Sequence, residues 1–399
     1  MPLLTREILE AGRLYRSTGA ISTKLLRQEV YRAWERSHLL GANPRAMQAE
    51  KLSSLDLDRL LNKESPLIQA VRPYAQILAQ AAGKEPHAVL LSDCHAVLLD
   101  LWGDKDMVQS KSFPQPGSLL SEEVAGANGI GTPLAEGTYS QIVTAEHFID
   151  GFYPFTCLGM PVRNLKQEIV GVLNISLQSP EHSQKFKELL LCASAGVEAE
   201  LILGNLEAAL SQVKAARPDD YEVLEKLRQD LVQTHHAARL RMDFSSRLIA
   251  TNRIDYAQQL LQQAEQSIAI FRHRSYFWYS LASSERDSIK SIFLMDTILT
   301  LVKLLSTEAT IRQVEVITPS FNEEIKITVF EKKFLRKLLR YFLAAFEKAG
   351  AKGILMLEIR KKFATKFVQI NFIVMPGNNN FSSNPIVSSL TVPINKSNQ

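Results

Sequence analysis

Apolar residues recur every three or four positions in LLRQEVYRAWERSHLLG and again in SPLIQAVRPYAQILAQAAG. That spacing puts them on one face of a helix, so residues 1–85 are predicted to be helical. Gly41 and Gly83 stand where helices would stop, because glycine takes the left-handed conformation without steric cost, and Ser65-Pro66 suits an N-cap and first helical position. From His87 the period shortens. HAVLLSD, HAVLLDLWGD, YSQIVTAEHF, FTCLGMPVRN and EIVGVLNISL are short, apolar or β-branched, and separated by turn signals such as Gly103-Asp104 and Asn164-Leu165-Lys166. They predict an antiparallel sheet with helices on its faces.

After Pro180 the helical period returns. FKELLLCASAGVEAELILGNLEAALSQVK has apolar residues at 197, 201, 206, 210 and 213, near a coiled-coil seam, and Pro218 ends it. Two stripes follow: Leu224, Leu227, Leu231, Ala238, Met242, Ser245 and Ile249, then, after Thr251-Asn252-Arg253, Ile254, Ala257, Leu261, Ala264, Ile268 and Phe271. They predict a helical hairpin that buries its stripe against a second copy as a four-helix bundle. Beyond it, a helix DSIKSIFLMDTILTLVKLLS, a strand VEVIT, a helix EKKFLRKLLRYFLAAFEKAG, strands GILMLEIR and FVQINFIVM, a loop NNNFSSNP and a last strand IVSSLTVPI make a second mixed domain. The expected division is a helical segment over 1–85, a sheet domain over 86–182, a connecting helix over 183–217, a helical hairpin over 218–280 and an α+β domain over 281–395.

The chain has 399 residues, more than one ordinary domain, and an apolar share of 46 % with 22 % charged residues is that of a folded protein. Disorder is excluded as the default. Cys94, Cys157 and Cys192 lie far apart without a CxxC pair, against a disulfide framework or zinc ribbon. The N-terminus reaches an acidic residue before any apolar core of signal-peptide length, and no run approaches the roughly 20 apolar residues of a membrane span. A cytoplasmic location without a membrane partner is expected. The net charge of +4 hides a segment, Lys326 to Lys366, with twelve lysines and arginines against three glutamates. A solvated helix face is the preferred reading of it, and nucleic acid the other.

The segment SEEVAGANGIGTPLAEG places Gly126, Gly129 and Gly131 within six positions. A phosphate cradle would need GxxxxGK[ST], or GxGxxG after a strand, and GANGIG has neither the lysine nor the strand.

GANGIGTPLAEG, EHF and TCLGMPVRNLKQEIVGVLNISL, in that order, resemble the GAF sensor domain of the acetoin-catabolism activators, which typically reads GTNxIGTAL, EHF and TCxAAPIxDxxGxIxGVLDxSG. Upstream, RQEVYRAWERSHLLGANP resembles the same family's helical lead-in, with Ala33 where serine is usual. The resemblance covers about residues 27–180. It implies a GAF-type antiparallel sheet with flanking helices and a pocket for a small molecule, of unknown identity, between sheet and loops. Gly126, Asn128, Gly131 and Thr132 would shape one wall, and Glu146, His147, Thr156 and Cys157 would be its polar candidates. Ala127, Gly129 and Leu158-Gly159-Met160 depart from the family pattern, so ligand identity is not carried across. Glu146, His147 and Cys157 could also gather a metal ion; the preferred reading is that the first two fix a loop while Cys157 is a small buried hydrophobe. No metal and no cofactor are expected.

His235-His236 lie mid-helix in the hairpin, and residues 220–395 resemble, by order of elements, a histidine-kinase dimerisation domain followed by a GHKL-type ATPase sandwich. His236, or His235, would then be the phosphoacceptor. The motifs oppose activity: Ala237 supplies no carboxylate base, Ala344 or Ala345 stands where a magnesium-holding asparagine belongs, and Met375-Pro376-Gly377-Asn378 replaces DxGxG. Asn371 or the cluster Asn378-Asn379-Asn380 would have to serve in an unusual active enzyme. The adopted reading is an α+β, dimeric sensing protein without catalysis, whose GAF domain signals to a degenerate kinase-like module that docks a response regulator or kinase. The alternatives are an active sensor kinase using His236 and a GAF-containing transcriptional regulator, for which no helix-turn-helix is found.

Overall fold

The computed structural model describes residues 2–110, 113–178, 183, 185–283, 288–318, 324–362, 367–377 and 385–393. It divides into two compact units, Met1–Gly204 with Thr234–Phe271, and Asn205–Gln233 with Arg272–Gln399. The elements in chain order begin with α1 (Pro2–Thr18), α2 (Gln28–Leu40), α3 (Ser54–Lys63), α4 (Ser65–Ala82), β1 (His87–Asp93), β2 (Leu98–Gly103), α5 (Lys105–Val108) and α6 (Gly131–Glu136). They continue with β3 (Ser140–Val143), β4 (Thr156–Arg163), β5 (Ile169–Leu177) and three long helices, α7 (Lys187–Ala216), α8 (Pro218–Ala250) and α9 (Ile254–Ala282).

The helical ends follow from local chemistry. Gly41 closes α2 at φ 88°, and its N–H bonds the Ser37 and His38 carbonyls. Ser65, expected as a cap, is already helical and Glu64 precedes it; the serine that caps is Ser53, whose hydroxyl accepts from the Asp56 amide at the start of α3.

The first unit is built on an antiparallel sheet in the order β2-β1-β5-β4-β3. Because side chains alternate across a strand, each strand feeds two cores. Val89, Leu91, Leu158, Leu173 and Ile175 face α4 and α7, whereas Ala88, Leu90, Ile142 and Val172 face the loops and α1 and α2.

The helical stripe finds a different partner from the one expected. Ala238, Met242 and Ile249 of α8 and Ala257, Leu261, Ala264 and Ile268 of α9 are buried in the same core as Val71, Leu78, Leu190 and Ala193 of α4 and α7. Within this unit these stripe residues are covered by the chain's own helices α4 and α7. The Ser245 hydroxyl donates to the Ala257 carbonyl (3.1 Å), and the Gln80 amide donates to the Ser246 hydroxyl (3.1 Å), which itself donates to the Asp243 carbonyl (2.8 Å), pinning the hairpin from inside. By length and composition α7 could cross a membrane, a feature the sequence reading passed over, but most of its apolar window is buried in protein.

The second unit adds β6 (Ile289–Phe293), α10 (Leu294–Leu304), α11 (Ser306–Ile311), β7 (Glu315–Ile317), β8 (Lys326–Phe330), α12 (Glu331–Ala349), β9 (Ile354–Lys362), β10 (Phe367–Met375) and β11 (Ile386–Pro393). One sheet runs β11-β10-β9-β7, parallel only between β7 and β9, and β6 pairs with β8 alone. The stretch IKSIF, read as the start of a helix, is therefore a strand, since its alternation matches IKITVF opposite it. Helix α12 lays Phe342 edge-on to Phe372 of β10 at 5.2 Å. The basic segment is partly neutralised: Arg336 and Arg340 both pair with the buried Asp220, at 3.2 and 3.3 Å. Asn371 is spent across the strands, donating to Glu358 (3.0 Å) and accepting from Ser389 (2.8 Å), and Asn378–Asn380 lie outside the described residues.

Truncating the fully buried Met242 to alanine is expected to cost about 2–4 kcal/mol of stability through lost burial and the cavity left behind. Since the partners of Met242 are intrachain, urea denaturation at two protein concentrations should give the same loss.

Candidate functional site

Loop 121–132 returns the chain from β2 towards β3, and Asn128 holds it. Its Nδ2 donates to the Leu120 (2.8 Å) and Gly126 (2.7 Å) carbonyls, and its Oδ1 accepts from the amides of Ile130 (2.8 Å) and Gly131 (3.0 Å). The amides a phosphate would use at the start of α6 are thus taken by the protein itself. Gly126 sits at φ 61° with Phe148 so close that a Cβ would fall 2.4 Å from it. Gly129 has Cys157 and Asn174 where its Cβ would be, at 2.4 and 2.3 Å, which lets its carbonyl accept from Asn174 Nδ2 (2.9 Å). Thr132 donates to Glu122 (2.9 Å), which is also gripped by Arg36 through two bonds of 2.6 and 2.9 Å.

The second loop carries Glu146, His147 and Phe148. Glu146 is 1 % exposed, and its carboxylate takes two bonds from Arg27 (2.7 and 2.6 Å) and one from the Val143 amide (2.8 Å). Its carbonyl accepts from the Trp34 indole (2.7 Å). Pairing with Glu146 raises the Arg27 pKa further despite the opposing effect of burial. Glu146 is therefore a fastening between α2 and the loop and is not presented to a ligand. Arg16 of α1 adds bonds to Asp150 and Tyr153.

Between these loops and the sheet lies a small cavity of about 30 Å³ that is partly open to solvent. Of the residues expected around a pocket, Asn128, His147 and Cys157 line it; Gly126, Gly131, Thr132, Glu146 and Thr156 do not. Thr156 fails for a simple reason: it neighbours Cys157 on β4, and adjacent strand residues point to opposite faces. Its hydroxyl is buried without a hydrogen-bond partner. The sequence reading missed Asn174 and Ser176 on β5, register partners of Gly159 and Cys157. Two polar residues spaced by two in VLNISL were the available signal. The remaining walls are apolar, among them Leu90, Leu120, Phe113, Phe152 and Phe155.

Most polar atoms of the lining are spent on one another. Ser176 donates to Asn174 Oδ1 (2.9 Å), so the Cys157 thiol is left to donate to the Ser176 hydroxyl (3.1 Å), and Asn174 Nδ2 also donates to the Leu158 carbonyl (2.9 Å). Burial pushes the Cys157 thiol up to about 12, so it is a thiol and no nucleophile near neutrality. His147 is the exception. Its Nδ1 donates to the Thr144 carbonyl (2.8 Å), while Nε2 has no partner in a fully buried ring. Burial lowers its pKa to about 4, the Thr144 carbonyl opposing only in part, so the ring is neutral and Nε2 is an acceptor.

The two candidate phosphoacceptors differ. His236 is exposed, but His235, expected on the helix surface, is completely buried, its Nε2 2.6 Å from Glu200 and 3.1 Å from the Tyr74 hydroxyl. It belongs to the packing of α8 on α4 and α7.

Residues 6–200 match the family model of the MimR N-terminal domain. The propane 2-monooxygenase operon transcriptional activator MimR of Mycolicibacterium smegmatis is 25 % identical over 203 residues, 50 % of this chain and 34 % of that protein. The acetoin dehydrogenase operon transcriptional activator AcoR of Bacillus subtilis is 23 % identical over 209 residues, 51 % of this chain and 34 % of that protein. The chain thus spans about a third of the length of these relatives. Among solved structures, the E. coli DhaR(N)–DhaL complex aligns at TM-score 0.44 and 15 % identity, covering 47 % of this chain and 66 % of that one. The N-terminal half is thus a mixed helix-and-sheet region, consistent with a GAF-like domain and similar to the sensor regions of transcriptional activators.

Two measurements check the site's chemistry. Native thiol titration at pH 8 should find Cys94 reactive, since it alone is exposed, and Cys157 and Cys192 silent until the chain unfolds. The unfolded chain protonates His147 near 6.5 but the folded one only near about 4, so between these values stability falls as the pH falls. Going from pH 7.5 to 4.5 should remove about 2–3 kcal/mol through this residue, and His147→Phe should show that much less pH dependence in urea denaturation.

Proposed function

We propose that the protein is a sensing component of transcriptional regulation, in which the cavity of the first unit binds a small molecule. The observation that carries this reading is the coincidence of two things. The match to the MimR N-terminal domain falls on residues 6–200, and that same region holds a mostly apolar cavity in whose lining, among the described residues, His147 Nε2 is the side-chain polar atom without a partner. Small-molecule sites are typically concave and mostly apolar, with few placed polar groups. Occupancy would be felt by the two loops and by α2, which is fastened to both through Arg27 and Arg36.

A regulator of this kind fits the relatives' role better than the kinase-like relay, which rests on the order of elements, and the enclosed His235 lends that relay no support. A cytoplasmic protein whose second unit docks an output partner is part of the proposal.

Mass spectrometry of small molecules extracted from the purified full chain tests it. One compound should accompany the wild type in stoichiometric amount, or be taken up from a metabolite extract. The cavity-filling variant Cys157→Leu should lose it while keeping the wild-type circular dichroism. Equal retention by the variant would place the compound elsewhere and overturn the reading.

A further inference from the structure

We infer that residues 43–64 form a strap across the loop wall of the cavity, one that opens and closes as a single unit and so joins the movements of two separate loops. Its use rests on the sensing role, but its geometry does not. Burial sets the segment apart from its surroundings. Helix α2 before it buries Val30, Ala33, Trp34 and Ser37, and α4 after it buries Leu67, Ala70, Val71 and Tyr74. Between them no residue from Asn43 to Glu64 is buried, and α3 offers only Leu57, Leu60 and Leu61, each half-buried. A segment anchored at both ends by packed helices, with little apolar contact along its length, costs little to open locally.

Backbone bonds hold the strap down. The Asp150 and Gly151 amides donate to the Pro44 (3.0 Å) and Ala46 (3.1 Å) carbonyls, the Leu119 amide to the Glu50 carbonyl (2.8 Å), and the Leu52 amide to the Gly117 carbonyl (2.9 Å). These bonds fall on the two loops that wall the cavity, one carrying Phe113, Pro114 and Leu120, the other His147, Phe152 and Phe155. Two glycines are the seats. A Cβ on Gly151 would fall 2.1 Å from the Met47 carbonyl oxygen, and Gly117, at φ 88°, lies against Leu57, 3.3 Å from where its Cβ would be. Lifting the strap therefore frees both loops together, and the wall is left to the edge-to-face contact of Phe113 with Phe155. The floor of the cavity is unaffected, because the ladders of β1, β4 and β5 hold it independently of the strap.

Residue-resolved hydrogen exchange on the full chain tests the strap without any ligand. The amides of Leu52, Leu119, Asp150 and Gly151 should show one common protection, well below that of the β1 and β5 ladder. Lys51 and Ser118 face each other in an antiparallel bridge between the Glu50–Leu119 and Leu52–Gly117 bonds, a kind of pair whose Cα atoms typically lie about 4.5 Å apart, within disulfide reach. In a Cys94→Ser background, the double variant Lys51→Cys, Ser118→Cys should, when oxidised, slow exchange at Asp150 and Gly151 about tenfold relative to its own reduced form, although the cross-link sits on the other loop. Gly151→Ala should do the reverse, quickening exchange at Leu52 and Leu119 about tenfold with the sheet amides unchanged. Unequal protection of the four amides, indifference of Asp150 and Gly151 to the disulfide, or a Gly151→Ala effect confined to its own loop overturns the strap. Each of these leaves the cavity reading untouched, and the oxidised-to-reduced comparison stands even where Gly151→Ala does not fold.

Discussion

The buried carboxylate of Glu146 is the constraint on which the sensing region depends. A charge with almost no exposure must be met by opposite charge and donors, and Arg27 and the Val143 amide meet it. To do so the chain turns sharply at Thr144, a β-branched residue held at φ 45°, where such residues rarely sit. That turn aims the Thr144 carbonyl at His147 Nδ1, fixes the ring's tautomer and leaves Nε2 as an acceptor. One ion pair between a helix and a loop therefore settles the chemistry of an atom it never touches.

The same fastening explains why the N-terminal helices belong to the sheet domain. Trp34 donates to the Glu146 carbonyl and packs edge-on to Phe148 at 5.5 Å, and Tyr15 packs against both rings. The helices that cover the loops are the ones that keep them in shape. A change in the cavity has its shortest mechanical route into α2 through Arg27 and Arg36, while the opposite sheet face reaches α4 and α7 through Leu158, Leu173 and Ile175.

Much of this was legible in the chain. Helical periods, the Gly41 stop and the five strands of the sheet could be read because each element buries one face against something local in sequence. At the loop glycines, Asn128 accepts from the Ile130 and Gly131 amides. What could not be read was what lies opposite what. Thr156 and Cys157 were both assigned to the pocket although a strand can offer only one of them, and Asn174 and Ser176 became visible only when β4 and β5 were set in register. The stripe of α8 and α9 was read correctly as apolar, but its partners, α4 and α7, lie more than a hundred residues away for α4, and nothing in a periodicity says which surface will cover it. His235 followed the same error: a helix-surface position by sequence, it is enclosed by Tyr74 of α4, Glu200 of α7 and Phe271 of α9.

Gly129 sets a boundary on how such a site can diversify. Its missing side chain is what lets Asn174 reach the loop carbonyl and Cys157 sit beneath it, so any larger residue there would unseat the polar series that keeps the sheet side of the cavity inert. That side is a fixed floor. The opposite wall, where Phe113 and Phe155 meet edge-to-face at 5.1 Å, carries no hydrogen-bonding obligation. Exchange of those two rings for smaller or larger apolar residues would resize the chamber without disturbing its floor.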